Sequence, residues 1–192
     1  TTYGYDVEKA KALLAEAGWT DSDGDGILDK DGAPFEVELN YQTSHANIDN
    51  MALTIASQLA AVGIKVNVKS GDMMTYYAAM GTSPLLIASS YGGAYDPSTL
   101  IANMNPSVST DPLSVQYAPF FEEGILDEIN STAPETRVAE IYESLLSTIA
   151  DQSLLVPISQ SHELAIWNDS VISGYSFGND PNYIIVAGFD VK

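Results

Sequence analysis

The sequence contains no cysteine and only two histidines, and it holds 7 Lys+Arg against 26 Asp+Glu. Without cysteine the chain has neither disulfide bonds nor thiolate metal ligands. Its net charge of −19 repels phosphate backbones, so we do not expect nucleic acid as a partner. No apolar run reaches the ~20 residues of a membrane-spanning helix. The remaining class is a globular chain, because 45% of the residues are hydrophobic and only 17% are charged.

Apolar periodicity alternates between helix and strand along the chain. Asp6 is a candidate cap for a helix over about 7–17, whose apolar stripe includes Leu13 and Leu14. Strand, helix and strand then follow, and this order forms a βαβ unit with a parallel strand pair. The predicted elements are strands at 35–41 and 64–68, helices at 47–62, near "MMTYYAAM" and after Pro134, and strands at "LLIASSY", "LLVPIS" and "ELAIW". The pattern predicts one α/β domain over residues 1–192.

An acidic, glycine-rich segment, "DSDGDGILDKDG", occupies residues 21–32. Its first three aspartates stand at alternate positions, as in the calcium loops of EF-hand proteins. Position 12 of that pattern is Gly32 where a bidentate glutamate is required, and a strand follows in place of a second helix. Two interpretations stay open: a plain acidic turn, or a calcium site formed by Asp21, Asp23, Asp25, the Ile27 carbonyl and Asp29.

Catalytic motifs are missing from the sequence, which has no G-x-S-x-G, G-x-G-x-x-G or H-E-x-x-H. The two histidines are His45 and His162. His162 follows Ser161 in "SQSHEL", but neighbours along a strand point to opposite faces and do not form a triad. We therefore do not expect an enzyme.

A tyrosine- and glycine-rich segment, "SSYGGAYDPSTLIANM", begins at residue 89 after a predicted strand. Gly92 and Gly93 allow another surface to approach the backbone closely, and Tyr91 and Tyr95 flank them. Asp96-Pro97 is typical of a helix start, so Asp96 is a candidate cap as well as a candidate ligand contact. A strand end, an aromatic loop and a helix start commonly form one wall of a small-molecule cleft.

The segment "YDVEKAKALLAEAGW", with the acidic loop after it, resembles the start of the second lobe in family 5 extracellular solute-binding proteins. These are the peptide and nickel receptors of ABC importers. The resemblance continues in order through "IASQLAAVGIKVNV", "GAYDPSTL" and "LLVPISQSHELAIW". It implies the α/β C-terminal lobe of a class II periplasmic-binding-protein fold, with a mixed sheet and helices on both faces. The tail from about 170 is then expected to pack towards a first lobe that these residues do not include.

Within the family, "YGGAYDPSTLIANM" is more similar to the nickel-binding branch than to the peptide-binding branch. Tyr91 matches a pocket tryptophan of that branch, and one tyrosine of "MTYY" is similar to a family pocket tyrosine. A metal-binding histidine of the branch has no counterpart in "NPSVSTDPL". The resemblance implies ligand contacts by Tyr91, Gly92, Gly93, Tyr95, Asp96 and either Tyr76 or Tyr77.

The resemblance also implies the setting of the protein. We expect a monomeric receptor that captures a peptide or a metal chelate between two lobes and presents it to the permease subunits of an ABC transporter. Such a receptor is extracytoplasmic, either periplasmic or lipid-anchored at the outer face of the membrane, and requires no cofactor. Two alternatives of other classes are a calcium-stabilised extracellular structural or adhesion module and a hydrolase with an unrecognised site.

Overall fold

The computed structural model describes residues 4–43, 47–88, 97–105, 112–120, 124–131, 134–159, 165–176 and 188–191. The chain divides into two compact units, which we term the N-terminal unit, Thr2–Ser89, and the C-terminal unit, Ser90–Lys192 with Thr1. The organisation of 1–192 as a single lobe stays a prediction. Among the described residues, the helices are too short or too polar to span a membrane.

The N-terminal unit is built around a parallel sheet. Its central strand, β3 (Glu36–Gln42), pairs in parallel with β4 (Lys65–Gly71) on one side and with β5 (Leu85–Ile87) on the other. Two further short strands, β1 (Asp29–Lys30), within the acidic segment, and β2 (Ala33–Pro34), directly after it, form an antiparallel pair. The elements are α1 Val7–Glu16, β1 Asp29–Lys30, β2 Ala33–Pro34, β3 Glu36–Gln42, α2 Ile48–Ala60, β4 Lys65–Gly71, α3 Met73–Ala79 and β5 Leu85–Ile87. The predicted βαβ unit is confirmed as β3, α2 and β4.

The core of the N-terminal unit lies between this sheet and α2. Successive residues of a strand point to opposite faces, so Leu39 and Tyr41 of β3 lie on the same buried face. Ile48 and Ala52 of α2 are four residues apart, a spacing that places them together on one face of a helix. They form one cluster with these two strand residues and Ile87 of β5.

The first helix, α1, has about the predicted ends, but its apolar stripe is not buried. Asp6 caps it, because Asp6 Oδ1 accepts a hydrogen bond of 2.9 Å from the backbone N–H of Lys9. In the described part of the chain no residue of α1 is buried, and Leu13 is 55% exposed. An apolar stripe shows which face a helix can bury, whereas burial itself requires a neighbour on that face.

A substitution at Gly63 tests the turn that joins α2 to β4. Gly63 has φ +84°, and an added Cβ would lie 2.7 Å from Leu28 Cγ. Gly18 is a matched control, because it has φ +85° but an added Cβ would find its nearest atom, Lys30 Cε, at 3.6 Å. Both alanine variants carry left-handed backbone strain, and only Gly63→Ala adds overpacking. We expect Gly63→Ala to lower the free energy of unfolding in urea by about 1–3 kcal/mol more than Gly18→Ala. Equal losses would contradict this packing.

The C-terminal unit is mainly helical in its described part. The longest helix described there, α6 (Glu135–Asp151), buries Ile141, Leu145 and Ile149, which are spaced four residues apart along one face. The first two pack with Ile101 and Ile129, and Ile149 packs with Met104 and Tyr117. The elements are α4 Pro97–Met104, a 3-10 helix Pro112–Phe120, α5 Ile125–Asn130, α6 Glu135–Asp151, and the antiparallel strands β6 Ile172–Tyr175 and β7 Phe189–Val191.

Two strand predictions in the C-terminal unit are wrong for the residues that the structure describes. In "LLVPIS" and "ELAIW", residues 155–159 and 165–167 belong to neither a strand nor a helix. A strand becomes stable only beside another strand, and in the described residues no strand pairs with either segment. The predicted strand "LLIASSY" forms over Leu85–Ile87, and residues 89–91 lie outside the described ranges.

Candidate functional site

The carboxyl ends of the three parallel strands lie at one edge of the sheet, where β3 ends at Gln42, β4 at Gly71 and β5 at Ile87. Helix α3 starts at this edge, directly after Asp72. Asp72 Oδ1 accepts a hydrogen bond of 2.8 Å from the backbone N–H of Thr75, and this bond holds the pKa of the Asp72 carboxyl below its usual value. Ligands of open α/β sheets bind outside the carboxyl ends of the strands. The edge and α3 are therefore the candidate site in the N-terminal unit.

The two tyrosines of "MTYY" have different environments in α3. Tyr76 is buried, and its hydroxyl donates a 3.2 Å hydrogen bond to the backbone carbonyl of Ile87, the last residue of β5. Tyr77 is 53% exposed, and its ring meets the Tyr76 ring edge-on at 6.0 Å between centroids. Met73 and Met74 are 55% and 73% exposed. Tyr76 thus joins α3 to the sheet, while Tyr77 presents its ring to solvent beside two methionines three and four residues earlier.

A second tyrosine contact ties α2 to the same edge of the sheet. Tyr41 is buried near the end of β3, and Asp49 lies in the first turn of α2. A hydrogen bond with the Asp49 carboxylate, together with burial, raises the pKa of the Tyr41 hydroxyl. This contact fixes the start of α2 against β3, next to the candidate site.

Most of the ligand residues implied by the sequence fall outside the described ranges. These are Tyr91, Gly92, Gly93, Tyr95 and Asp96. The two histidines, which the sequence did not assign to the ligand site, also lie outside the described ranges. Helix α4 starts at Pro97, so the helix start predicted from Asp96-Pro97 is confirmed. The role of Asp96 as a cap or as a ligand contact stays a prediction.

The candidate ligand residues lie in a stretch of sequence without cationic side chains, a property that the motif search did not detect. The sequence has no Lys, Arg or His between Lys69 and Arg137, a stretch that contains every predicted ligand tyrosine. The cations at both ends of this stretch form ion pairs, Lys69 with Glu38 and Arg137 with Glu128. The stretch between Lys69 and Arg137 can offer aromatic and thioether surfaces to a ligand. A cationic side chain that binds an anionic ligand would have to lie outside this stretch.

The acidic loop is a turn held by its own hydrogen bonds. Asp21 accepts from the backbone N–H groups of Gly24 at 2.7 Å and Gly26 at 3.0 Å, and Asp25 accepts from Ile27 N–H at 2.8 Å. Carboxylate oxygens of Asp21, Asp23 and Asp29 lie within 4.8 Å of one another, a grouping that does not include Asp25. Hard oxygen ligands of this kind suit calcium. Calcium binding stays a prediction, and a calorimetric titration with calcium tests it.

Asp29 is expected to make the stability of the acidic loop depend on pH. Its carboxylate accepts from the Ser22 N–H and Oγ–H, both at 2.8 Å, and these bonds, the backbone one first, lower its pKa from the ordinary 3.8. A lowered folded-state pKa contributes stability above the ordinary value, and that contribution is lost as the pH falls through the folded-state pKa. We expect Asp29→Asn to lower the unfolding temperature at neutral pH, with the difference from wild type closing below the ordinary pKa of 3.8. Asp31→Asn is the charge control, and an Asp29→Asn effect that grows in acid would contradict the assignment.

Residues 1–111 match the family model described as bacterial extracellular solute-binding proteins, family 5 middle. The chain belongs to this family. It is 29% identical over 182 residues to the nickel-binding periplasmic protein of Escherichia coli K12. This alignment covers 92% of the chain and 33% of that relative. It is 44% identical over 64 residues to the oligopeptide-binding protein AppA of Bacillus subtilis, covering 33% of the chain and 12% of AppA. The family is extracellular by description, and these relatives are solute-binding proteins.

Solved structures agree with the predicted fold. The chain is similar over its whole length to NikA from Brucella suis in complex with Fe(III)-EDTA, with a TM-score of 0.77, 21% identity and 39% of NikA covered. It is similar over 81% of its length to the mannohexaose-bound periplasmic oligopeptide-binding protein of Thermotoga maritima, with a TM-score of 0.71, 24% identity and 31% of that chain covered. The periplasmic-binding-protein fold is confirmed. The predicted mixed sheet differs in the described residues, where both neighbours of β3 run parallel to it. The chain spans about a third of the nickel-binding relative, since 33% of that protein is covered.

Proposed function

We propose that the chain forms one wall of the ligand cleft in a longer solute receptor of an ABC importer. The observation that carries this proposal is the family match over residues 1–111, which includes every candidate ligand residue from Tyr76 to Asp96. The position of α3 at the carboxyl edge of the parallel sheet supports it, because that edge is where α/β folds bind ligands. Because the relatives include a nickel-binding and an oligopeptide-binding protein, the proposed solute is a nickel chelate or a peptide.

The proposed wall contacts the solute through rings and apolar surface. Tyr77 supplies an exposed ring on α3. Tyr91 and Tyr95, which flank Gly92 and Gly93 in the sequence before Pro97, are the other proposed ring contacts. Asp96 is the candidate polar contact. Because this stretch has no cationic side chain, the wall suits a neutral or cationic part of the solute. A carboxylate of a chelator or a peptide would be bound by groups outside the 192 residues.

The longer receptor is proposed to work by closure around the solute. A clamp that closes by hinge motion differs in shape between its loaded and empty states, and the permease subunits of the importer can distinguish them. The receptor is proposed to act as a monomer, in the periplasm or on a lipid anchor, without catalysis and without a required cofactor. Calcium in the acidic loop would contribute to the stability of the turn rather than to solute binding.

Native mass spectrometry of the full-length protein, purified from its own host, tests this function. We expect a bound mass that corresponds to a peptide or a metal chelate and that is lost when the protein is unfolded. Titration of the emptied protein with that solute should then restore the bound mass. A full-length protein that carries no solute and binds neither peptides nor nickel chelates would contradict the proposal.

A further inference from the structure

The turn that precedes β6 contains an acceptor sequence for N-linked glycans. Such a sequence is Asn-x-Ser/Thr with any residue except proline in the middle, and Asn168, Asp169 and Ser170 match it. The pattern occurs a second time, at residues 130–132. A three-residue pattern arises often by chance, so the local structure must distinguish an acceptor from a coincidence.

The backbone of this turn holds Asn168 at the surface. The Asn168 carbonyl accepts hydrogen bonds from Val171 N–H at 3.1 Å and from Ile172 N–H at 3.0 Å, and Ile172 is the first residue of β6. Asparagine is favoured at the first position of a turn because its side chain can bond to the backbone two residues further on. Residues 166–171 are all exposed, so an enzyme can reach the Asn168 amide without unfolding the unit.

The Asn168 side chain bonds to the third residue of the acceptor sequence. Asn168 Oδ1 accepts hydrogen bonds from Ser170 N–H at 3.0 Å and from Ser170 Oγ–H at 2.7 Å. Donors on Oδ1 stabilise negative charge on that oxygen, and such charge develops when Nδ2 gives up a proton to become a nucleophile. The serine hydroxyl that defines the pattern is therefore in contact with the amide that the pattern modifies.

We propose that Asn168 carries an N-linked glycan in the extracytoplasmic protein. N-linked glycans are added to surface loops of secreted proteins, and the family of this chain is extracellular by description. The proposal goes beyond the proposed function, because neither the solute nor the cleft enters it. A hydrated glycan on this turn would increase the solubility of the surface around it.

The glycan comes from a lipid-linked oligosaccharide phosphate or diphosphate, and an oligosaccharyltransferase of the host catalyses its transfer. A bond forms between Asn168 Nδ2 and the anomeric carbon of the first sugar. The bond between that carbon and the phosphate oxygen of the donor breaks, and the lipid phosphate leaves with its electron pair. One proton passes from Nδ2 to a base of the transferase, so the exchange involves no oxidation or reduction.

The second sequence of this pattern, Asn130-Ser131-Thr132, has a different setting. Asn130 is the last residue of α5, and the Ser131 hydroxyl donates a 2.8 Å hydrogen bond to the Glu128 carbonyl. Asn130 therefore belongs to a helix, whereas Asn168 starts an exposed turn. We expect a higher glycan occupancy at Asn168 than at Asn130, which makes the two positions a matched pair within one chain.

Glycopeptide mass spectrometry of the full-length protein, purified from its own host and digested, tests the proposal. We expect the peptide that contains Asn168 to carry a mass increase of whole sugar residues, which fragment ions locate on Asn168. Expressed in the same host, Asn168→Gln and Ser170→Ala should remove this increase, whereas Ser170→Thr keeps the hydroxyl and should retain it. Asn130→Gln is the control variant and should leave the increase at Asn168 unchanged.

An unmodified Asn168 peptide from the unsubstituted protein would overturn the proposal, and so would sugar found at Asn130 alone. A mass increase that persists in this peptide after Asn168→Gln lies on another residue and would also overturn it. If a variant fails to fold, the peptide of the unsubstituted protein decides. The glycan is covalent and stays on the unfolded protein, whereas a bound solute is lost on unfolding, so a failure here is distinct from a failure of solute binding.

Discussion

Replacing Leu39 with alanine is expected to lower the free energy of unfolding of the N-terminal unit by about 2–5 kcal/mol. Leu39 is 3% exposed in the central strand β3, and its register partners are Val68 of β4 and Leu85 of β5. The substitution removes apolar contacts and leaves a cavity that two flanking strands and α2 can fill only in part. Urea denaturation followed by circular dichroism measures the loss.

Leu53→Ala is the control for this prediction. It makes the same chemical change in α2 at a side chain that is 60% exposed. Surface substitutions usually change stability by about 0.5 kcal/mol or less, so the two variants should differ several-fold in their effect. A loss at Leu39 no larger than the loss at Leu53 would contradict the core described for this unit.

The isolated 192-residue chain is expected to bind the solute on the order of a hundredfold more weakly than the full-length receptor. Pockets for small ligands usually bury about 70–90% of the ligand surface, and a single wall buries only part of it. The entropy lost on binding does not fall in proportion, so the affinity drops by more than the lost contact area suggests. Calorimetry with the solute found by native mass spectrometry gives both dissociation constants.

The control is the folded state of the isolated chain, which circular dichroism and a cooperative urea transition verify before binding is measured. A folded chain that binds as tightly as the full-length receptor would overturn the two-walled cleft. It would leave family membership intact, because that rests on the sequence match over residues 1–111.

Local signals were sufficient to predict the βαβ unit. The strand predicted at 35–41 is Glu36–Gln42, and the helix predicted at 47–62 is Ile48–Ala60. The alternation of apolar and polar residues along β3 and the helical spacing of apolar residues in α2 can be seen in the sequence itself. Gly63, at φ +84°, marks the turn before β4. The resemblance of residues 5–19 and of later segments such as "GAYDPSTL" then pointed to the family.

Properties that depend on a neighbour were not predictable from the sequence. Tyr76 and Tyr77 are adjacent and chemically identical, and only the packing of α3 against β5 shows that the first is buried. The stripe of α1 has helical periodicity but no buried residue among the described ones. The segments at 155–159 and 165–167 have a strand-like composition, which predicted strands, but a strand also requires a partner.

The most direct test of the proposal that this chain forms a wall of the solute cleft is a measurement of solute affinity in the full-length receptor. The affinity is compared between wild type, Tyr77→Ala and Tyr91→Ala. Each substitution should weaken binding by about 1–3 kcal/mol, the scale for losing a buried aromatic contact. The unfolding midpoint without solute should not change. Tyr76→Phe is the control, because it removes the hydrogen bond to the Ile87 carbonyl and should lower stability at constant affinity. Wild-type affinity in both alanine variants would contradict the assignment of this wall to the solute cleft.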